Sequence, residues 1–396
     1  MALLAWLGLA VVLAQAAASL SSRFMGMPGI AVGAVLALVA VAVLARFLPL
    51  RSWTKVALLA VLIAPCWMYL ALDERHVQPT PLPPLPASPS EAERASYETT
   101  LRFADRKDGQ PAKEFLSPKL AVPLPFGRPA EWPAYLAKHG DEVQAARQGN
   151  VAGREYLQAL DAFPSIADLT PPRFDAPIMP FKPWRDTMLL EITEAVRLAA
   201  LGRGDEAAEL LVPVLRVSRK LQDHSRTLVR FMVARVTLNR AMEAVKFVLE
   251  KSPPDAAHRK ALAEVLAAGE GGPAMIGRIM WVDHTTMPSV IEGAPAGAPF
   301  GPKWLRYLPL ATLLHPHRTL NEMARNCAII ADLAAKRDVA GIEAREKQLE
   351  ARMSQVSFRN PIGHLLIGML VPSFKGVVTN YWKGEDERLA LIEALR

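Results

Sequence analysis

Residues 184–221 read WRDTMLLEITEAVRLAALGRGDEAAELLVPVLRVSRKL. Leu189, Ile192, Val196 and Ala199 recur at helical spacing, and Ala207, Leu210, Val214, Val217 and Leu221 do so again after a short break. The break holds Gly202 and Gly204, which end one helix, and Asp205, which is placed to cap the next. The stretch therefore predicts an antiparallel helix pair. A third helix is expected over about 226–250, with Leu228, Phe231, Ala234, Leu238, Met242, Val245 and Leu249 on one face. Ser252-Pro-Pro-Asp255 stops it and matches a capping box for a further helix at about 255–268. Helical periodicity returns at about 273–283, 317–336, 339–355, 361–370 and 385–395. No alternating strand pattern of useful length occurs, so the fold class is all-α: N-terminal transmembrane helices followed by an irregular multi-helix domain.

Upstream the pattern breaks down. Prolines at 111, 118, 123, 125, 129, 133, 164, 171, 172, 177, 180 and 183 leave room for regular structure only at about 133–162, and the rest is expected to wrap the helices that follow.

The first 72 residues differ in kind. No charged residue occurs from Met1 to Ser22, from Phe24 to Ala45 or from Val56 to Leu72, and each run approaches the roughly 17–25 residues that a helix needs to cross hydrocarbon. Three transmembrane helices are expected. Ala14-Gln15-Ala16 has the form of a signal-peptide cleavage site, but no Lys or Arg precedes the apolar run. Arg46, Arg51 and Lys55 fill the second loop against Arg23 alone in the first, which places the second loop in the cytoplasm and everything after Leu72 outside. Six prolines between Pro79 and Pro89 then favour an extended, semi-rigid spacer, and the extracytoplasmic side argues against a proline-rich ligand for a cytoplasmic module. The expected division is an anchor over 1–75, a linker over 76–92 and a helical extracytoplasmic domain over 93–396.

Composition excludes several classes. Hydrophobic residues make up 51% of the 396 and charged residues 21%, too apolar for disorder and too charged for a wholly embedded bundle. The formal charge of +7 is concentrated in the anchor, because all four charges before residue 73 are basic. That leaves 42 bases against 39 acids, which is no nucleic-acid footprint. Cys66 and Cys327 stand far apart, so no disulfide framework or Cys-based zinc site is expected.

The turn Ala199-Ala-Leu-Gly-Arg-Gly-Asp-Glu-Ala207 resembles the helix-turn-helix of tetratricopeptide repeats, which implies a helical hairpin; the likeness covers about one repeat, and no 34-residue recurrence follows. With the late motifs Pro316-His-Arg-Thr-Leu-Asn321 and Asn360-Pro-Ile-Gly363, the arrangement resembles uncharacterised bacterial proteins that carry a helical domain on an N-terminal membrane anchor. That resemblance implies a location and brings no activity with it.

Side chains suited to chemistry are few. There is no GxSxG, P-loop, GxGxxG, HExxH or Cys-x-x-Cys, so no cofactor is expected and the enzyme reading is the weaker one. His315-Pro-His317 with His284 offers imidazoles to a metal, although surface or capping roles are the simpler reading. Seven bases lie between Arg216 and Arg240; pairing with the acids of 186–209 or a solvated face is the expected reading, with attraction of phosphate or lipid headgroups as the alternative. At 100° per residue Arg235 falls near the centre of the third helix's apolar stripe, whereas Arg226, Arg230 and Arg240 point away. Arg235 is therefore expected to find an internal acid such as Glu194, with an anion-binding pocket as the alternative. Residues 274–314, rich in Met, Trp, Gly and Pro and including Trp281 and Trp304, either close the core or line a groove for a hydrophobic ligand. The expected function is contact with an envelope protein partner, in addition to the lipids around residues 1–72; the alternative is an envelope enzyme or lipid-handling protein using residues 274–317. Oligomeric state is not legible.

Overall fold

The computed structural model describes residues 72–74, 76–101, 106–107, 110–111, 120, 122–173, 175–176, 181–297, 314–353, 360–370 and 374–396. The three expected membrane segments, the possible cleavage site and Trp304 lie outside these residues. Among the described residues no helix is long and apolar enough to cross a membrane.

Thirteen α-helices are described: α1 (Glu91–Leu101), α2 (Trp132–Gly149), α3 (Val151–Ala162), α4 (Phe181–Ala200), α5 (Gly204–Asp223), α6 (Leu228–Lys251), α7 (Ala256–Ala267), α8 (Gly272–Ile279), α9 (Val282–Gly297), α10 (Pro316–Ala335), α11 (Val339–Met353), α12 (Pro361–Leu370) and α13 (Phe374–Leu395). The extended structure among the described residues is a two-residue antiparallel pair, Arg106–Lys107 with Gln110–Pro111. The fold is all-α.

The chain divides into two compact units. One takes residues 81–282, 334–337 and 375–396, and α4 is its central helix. Residues on every side of α4 are buried, including Trp184, Met188, Ile192, Ala195, Val196 and Ala199, because α2, α5 and α6 all pack against it. The α4–α5 turn closes as a Schellman motif. Gly202, at φ +79°, donates to Ala199 O at 3.0 Å, and Arg203 donates to Leu198 O at 2.9 Å. Asp205 is not the cap it was expected to be: it sits in the first turn of α5 and accepts from Asp255 N at 2.8 Å. Asp255 itself caps α7, accepting from His258 N, whereas Ser252 ends α6 and accepts from Gly204 N at 2.9 Å. The expected box therefore resolves into two separate caps.

The Pro-rich strand of chain after α3 covers the far side of α6. Arg230, expected to point outward, is buried there and donates to Ile166 O at 2.8 Å and Ala167 O at 3.3 Å, with Asp168 at 3.7 Å. An arginine on that face stays buried because backbone carbonyls absorb its donors.

The second unit holds residues 72–80, 283–333 and 338–374 among those described. Its two late motifs meet. Asn360 accepts from His315 N at 2.9 Å and donates to Thr319 Oγ1 at 2.9 Å. Asp73 accepts from the N–H groups of His317 and Arg318 at 2.8 and 2.9 Å, an anion at the start of α10 where the helix leaves donors unpaired. Asn321 then brackets the departing chain, donating to Glu74 Oε2 at 2.6 Å and to His76 O, and accepting from Gln78 N at 2.8 Å. The chain entering the proline-rich stretch is thus held by side chains rather than left bare.

Gly204 gives a direct check of the hairpin. A Cβ at this position would overlap the Ser252 carbonyl, whereas one at Gly149, the last residue of α2, would meet nothing. Gly204→Ala should cost about 1–3 kcal/mol by overpacking, and Gly149→Ala should stabilise by about 0.5–1 kcal/mol. Thermal melts that shift in the same direction would contradict the placement of the turn.

Candidate functional site

The charged residues that were expected to pair across α4 and its neighbours do otherwise. Glu191 bonds Arg147 at 3.0 Å and Glu194 bonds Arg197 at 2.7 Å. The bases of 216–240 look elsewhere: Arg216 to Asp161 at 2.6 Å, Lys220 to Asp161 O at 2.7 Å, Arg226 to Pro83 O and Arg240 to Glu243 at 3.2 Å. Arg230 is taken by Ile166 O and Ala167 O, and the remaining two, Arg219 and Arg235, enter one buried charged centre.

That centre gathers side chains from four parts of the first unit. Arg235 of α6 is buried, as its place on the apolar stripe requires, and donates from Nη1 to Glu385 Oε1 of α13 at 2.6 Å and from Nη2 to Tyr381 O at 2.8 Å. Its guanidinium also lies over the Tyr381 ring, 4.9 Å from the centroid. Glu385 takes a second cation, Arg388, at 3.0 Å. Arg388 passes on to Leu266 O at 2.9 Å, and Tyr381 Oη donates to Gly272 O at 3.0 Å. Arg219 of α5, 3% exposed, donates to Ala268 O and, at 3.1 Å, to Glu270 O. The loop 268–272 lies directly on these groups: Gly269 has φ +83°, and a Cβ there would overlap Asp223 Oδ2 and crowd Arg219. Arg278 adds an ion pair with Glu270 at 3.2 Å.

The electrostatics follow from this crowding. Burial raises the Glu385 carboxyl, but the charges and hydrogen bonds of Arg235 and Arg388 outweigh it and hold the group below the ordinary carboxylate range. Burial lowers Arg219, and Arg388 and Arg235 push the same way against Asp223 and Glu385. Asp223 goes up to about 6 because desolvation exceeds the attraction of Arg219.

The three histidines, for which surface or capping roles were the simpler reading, lie in the second unit, and His315 and His317 both approach Asp73, at 3.9 and 4.0 Å. His284 is buried between Thr80 Oγ1 and Leu320 O, the latter at 3.2 Å, and burial lowers its pKa. His315 is buried at the start of α10, with Asp73 at 3.9 Å, and half-exposed His317 meets Glu74 O at 2.7 Å. Trp281 is half-buried, while Met275, Met280 and Met287 are fully buried. Among the described residues, carboxylate and imidazole atoms within 4.8 Å of one another occur instead at exposed Asp205 and Asp255 and half-buried His258, at the starts of α5 and α7. Glu385, Tyr381 and the glycine loop carried no signal in the sequence, since none lies near Arg235 along the chain.

No protein-family model matches this chain, and neither curated proteins nor solved structures give a match.

The raised Asp223 makes a pH prediction. Between the ordinary Asp value near 4 and the folded value of about 6, the folded state holds the proton more tightly than the unfolded one, so this residue makes stability fall as pH rises through that window. Asp223→Asn should stabilise by roughly 1–3 kcal/mol at pH 7 and by almost nothing at pH 4. Denaturation curves showing no gain at pH 7 would contradict the burial of this carboxylate in its charged form.

Proposed function

We propose that the chain is a bacterial inner-membrane protein, anchored in lipid by transmembrane helices within residues 1–72, whose periplasmic helical domain works by contact with another envelope protein. The membrane part of the reading rests on the charge-free runs and the basic second loop. The tetratricopeptide-like turn and the likeness to bacterial membrane-anchored helical-domain proteins support the same architecture.

The contact part rests on one observation. Ten large hydrophobic residues are exposed among those described, and three of them, Val229, Met232 and Val236, fall at i, i+3 and i+7 on α6. Scattered apolar residues on a surface need no explanation, but two successive turns of one helix presenting them together form a face that a partner helix can cover. The opposite face of α6 is filled with core residues, including Phe231, Ala234, Leu238 and Met242, so the helix is rigidly held while it presents this stripe. The stretch 274–314, read from the sequence as closing the core or lining a groove, is a less suitable place in its described part, where Met287, Val290 and Ile291 are buried.

A photoreactive amino acid at position 232 or 236 should give a discrete crosslinked product in native membranes, and Met232→Lys with Val236→Glu should abolish the cellular phenotype of the gene without changing the melting temperature. A well-folded double variant with full function, or crosslinks no stronger than those from exposed Gly149, would overturn this reading.

A further inference from the structure

We infer that the open cleft between α7 and the end of α13 binds a single-chain carboxylate of the fatty-acid type, with its carboxylate on Arg259 and its chain along the alanine face of α7. The cleft lies wholly within the first unit and holds about 390 Å³, inside the range of roughly 300–1,000 Å³ that small-molecule sites occupy. Its long wall is α7, where Ala256, Ala263 and Ala267 line it at i, i+7 and i+11. Ile392 and Leu395 of α13 line the other side. The two helices are tied together by Arg388, which donates to Leu266 O at 2.9 Å, so the walls are fixed before anything binds. From Ala256 to Ala267 the helix rises about 16 Å, room for an extended chain such as that of laurate.

The charges around this apolar lining do not cancel. Lys260 and Glu264 both line the cleft and face each other one turn apart at 3.8 Å, so each offsets the other. Arg259 lines it too and meets no carboxylate within ion-pair distance among the described residues. Its Nε is buried without a hydrogen-bond partner. Most arginines of this unit are spent on a carboxylate or a backbone carbonyl, as Arg147, Arg216, Arg235 and Arg388 show. Arg259 is left with a charge to place. It also stands in the first turn of α7, the end of a helix where the backbone dipole favours an anion.

The combination selects the ligand. A guanidinium fork takes a planar carboxylate through two parallel N–H bonds, which supplies orientation as well as attraction. The alanine methyls and the edges of Ile392 and Leu395 offer nothing to a polar tail, so a free inorganic anion would leave most of the lining uncovered. A volume of about 390 Å³ suits one slender chain and is too small for the paired chains of a phospholipid or for a whole partner helix. One anionic end on one unbranched apolar body meets each of these conditions.

Photolabelling of the full-length protein in phosphatidylcholine nanodiscs, with laurate that carries a diazirine at its methyl end, tests the inference. Label is expected on peptides covering 256–267 and 392–396. Unlabelled laurate should displace it at about a tenth of the concentration that dodecanol needs, because the alcohol keeps the chain and loses the charge-assisted bonds. Arg259→Gln should lower labelling of these peptides about tenfold for the same reason, and it removes no described side-chain bond, so its melting temperature should match the parent's. Ala263→Leu, which fills the cleft, should abolish labelling. Label confined to residues 1–72, displacement by dodecanol as readily as by laurate, or full labelling in folded Arg259→Gln protein would each overturn the assignment. Displacement by phosphatidylglycerol in the discs but not by laurate would overturn it as well, giving the cleft to membrane headgroups instead.

Discussion

A carboxylate with two guanidinium groups closed around it has been taken out of water where α13 joins the first unit, and the position of that helix depends on the arrangement. Arg235 and Glu385 are 150 residues apart in sequence, so their bond closes a very long loop. Two ions cannot be buried cheaply, and their attraction repays the desolvation only when the geometry is close and the remaining donors are used. Here they are used: Arg235 also donates to the Tyr381 carbonyl and lies over the Tyr381 ring, while Arg388 ties the same carboxylate to the end of α7. The apolar residues Leu391, Ile392 and Leu395 of α13 complete the core, and the ion pair determines which turn of the helix they reach from.

The glycine loop belongs to the same constraint. Backbone carbonyls of Ala268, Glu270 and Gly272 are turned inward to Arg219 and Tyr381, which a bulkier loop cannot do without overlapping Asp223. Charge and loop conformation therefore depend on one another. In the second unit the equivalent part is played by neutral and acidic side chains, where Asp73 and Asn321 hold residues 73–74 and 76–78 against the start of α10.

How much of this was legible varies with the range of the interaction. The helix pair across 201–207 could be read because its signals, apolar spacing and two glycines, are local, and Arg235 could be read as buried because helical phase is local too. Glu385 could not be found as its partner, since nothing in one sequence links positions 150 apart. Glu194 looked suitable only because it is near, and it bonds Arg197 instead. Arg230 shows the limit of phase arguments: it points away from the apolar stripe yet is buried, because the chain at 166–168 covers that side. Two helices carried weaker signals. Ser90 and Glu93 form a reciprocal capping box at the start of α1, a local pattern masked by the prolines before it. The first turns of α13 contain Gly376, Val377, Val378 and Thr379, poor helix formers that tertiary packing overrides. Of the candidate site residues, His315 and His317 meet at Asp73, whereas His284 is held apart from them between Thr80 and Leu320 O.

The most direct test of the buried clasp is a double-mutant cycle on Arg235 and Glu385, with Arg235→Met and Glu385→Leu measured singly and together by chemical denaturation. Each single change strands a buried charge and should cost about 3–5 kcal/mol, whereas the double variant should cost much less than the sum of the two. Additive effects, or single variants within about 1 kcal/mol of the parent, would show that the pair is not what holds α13 in place.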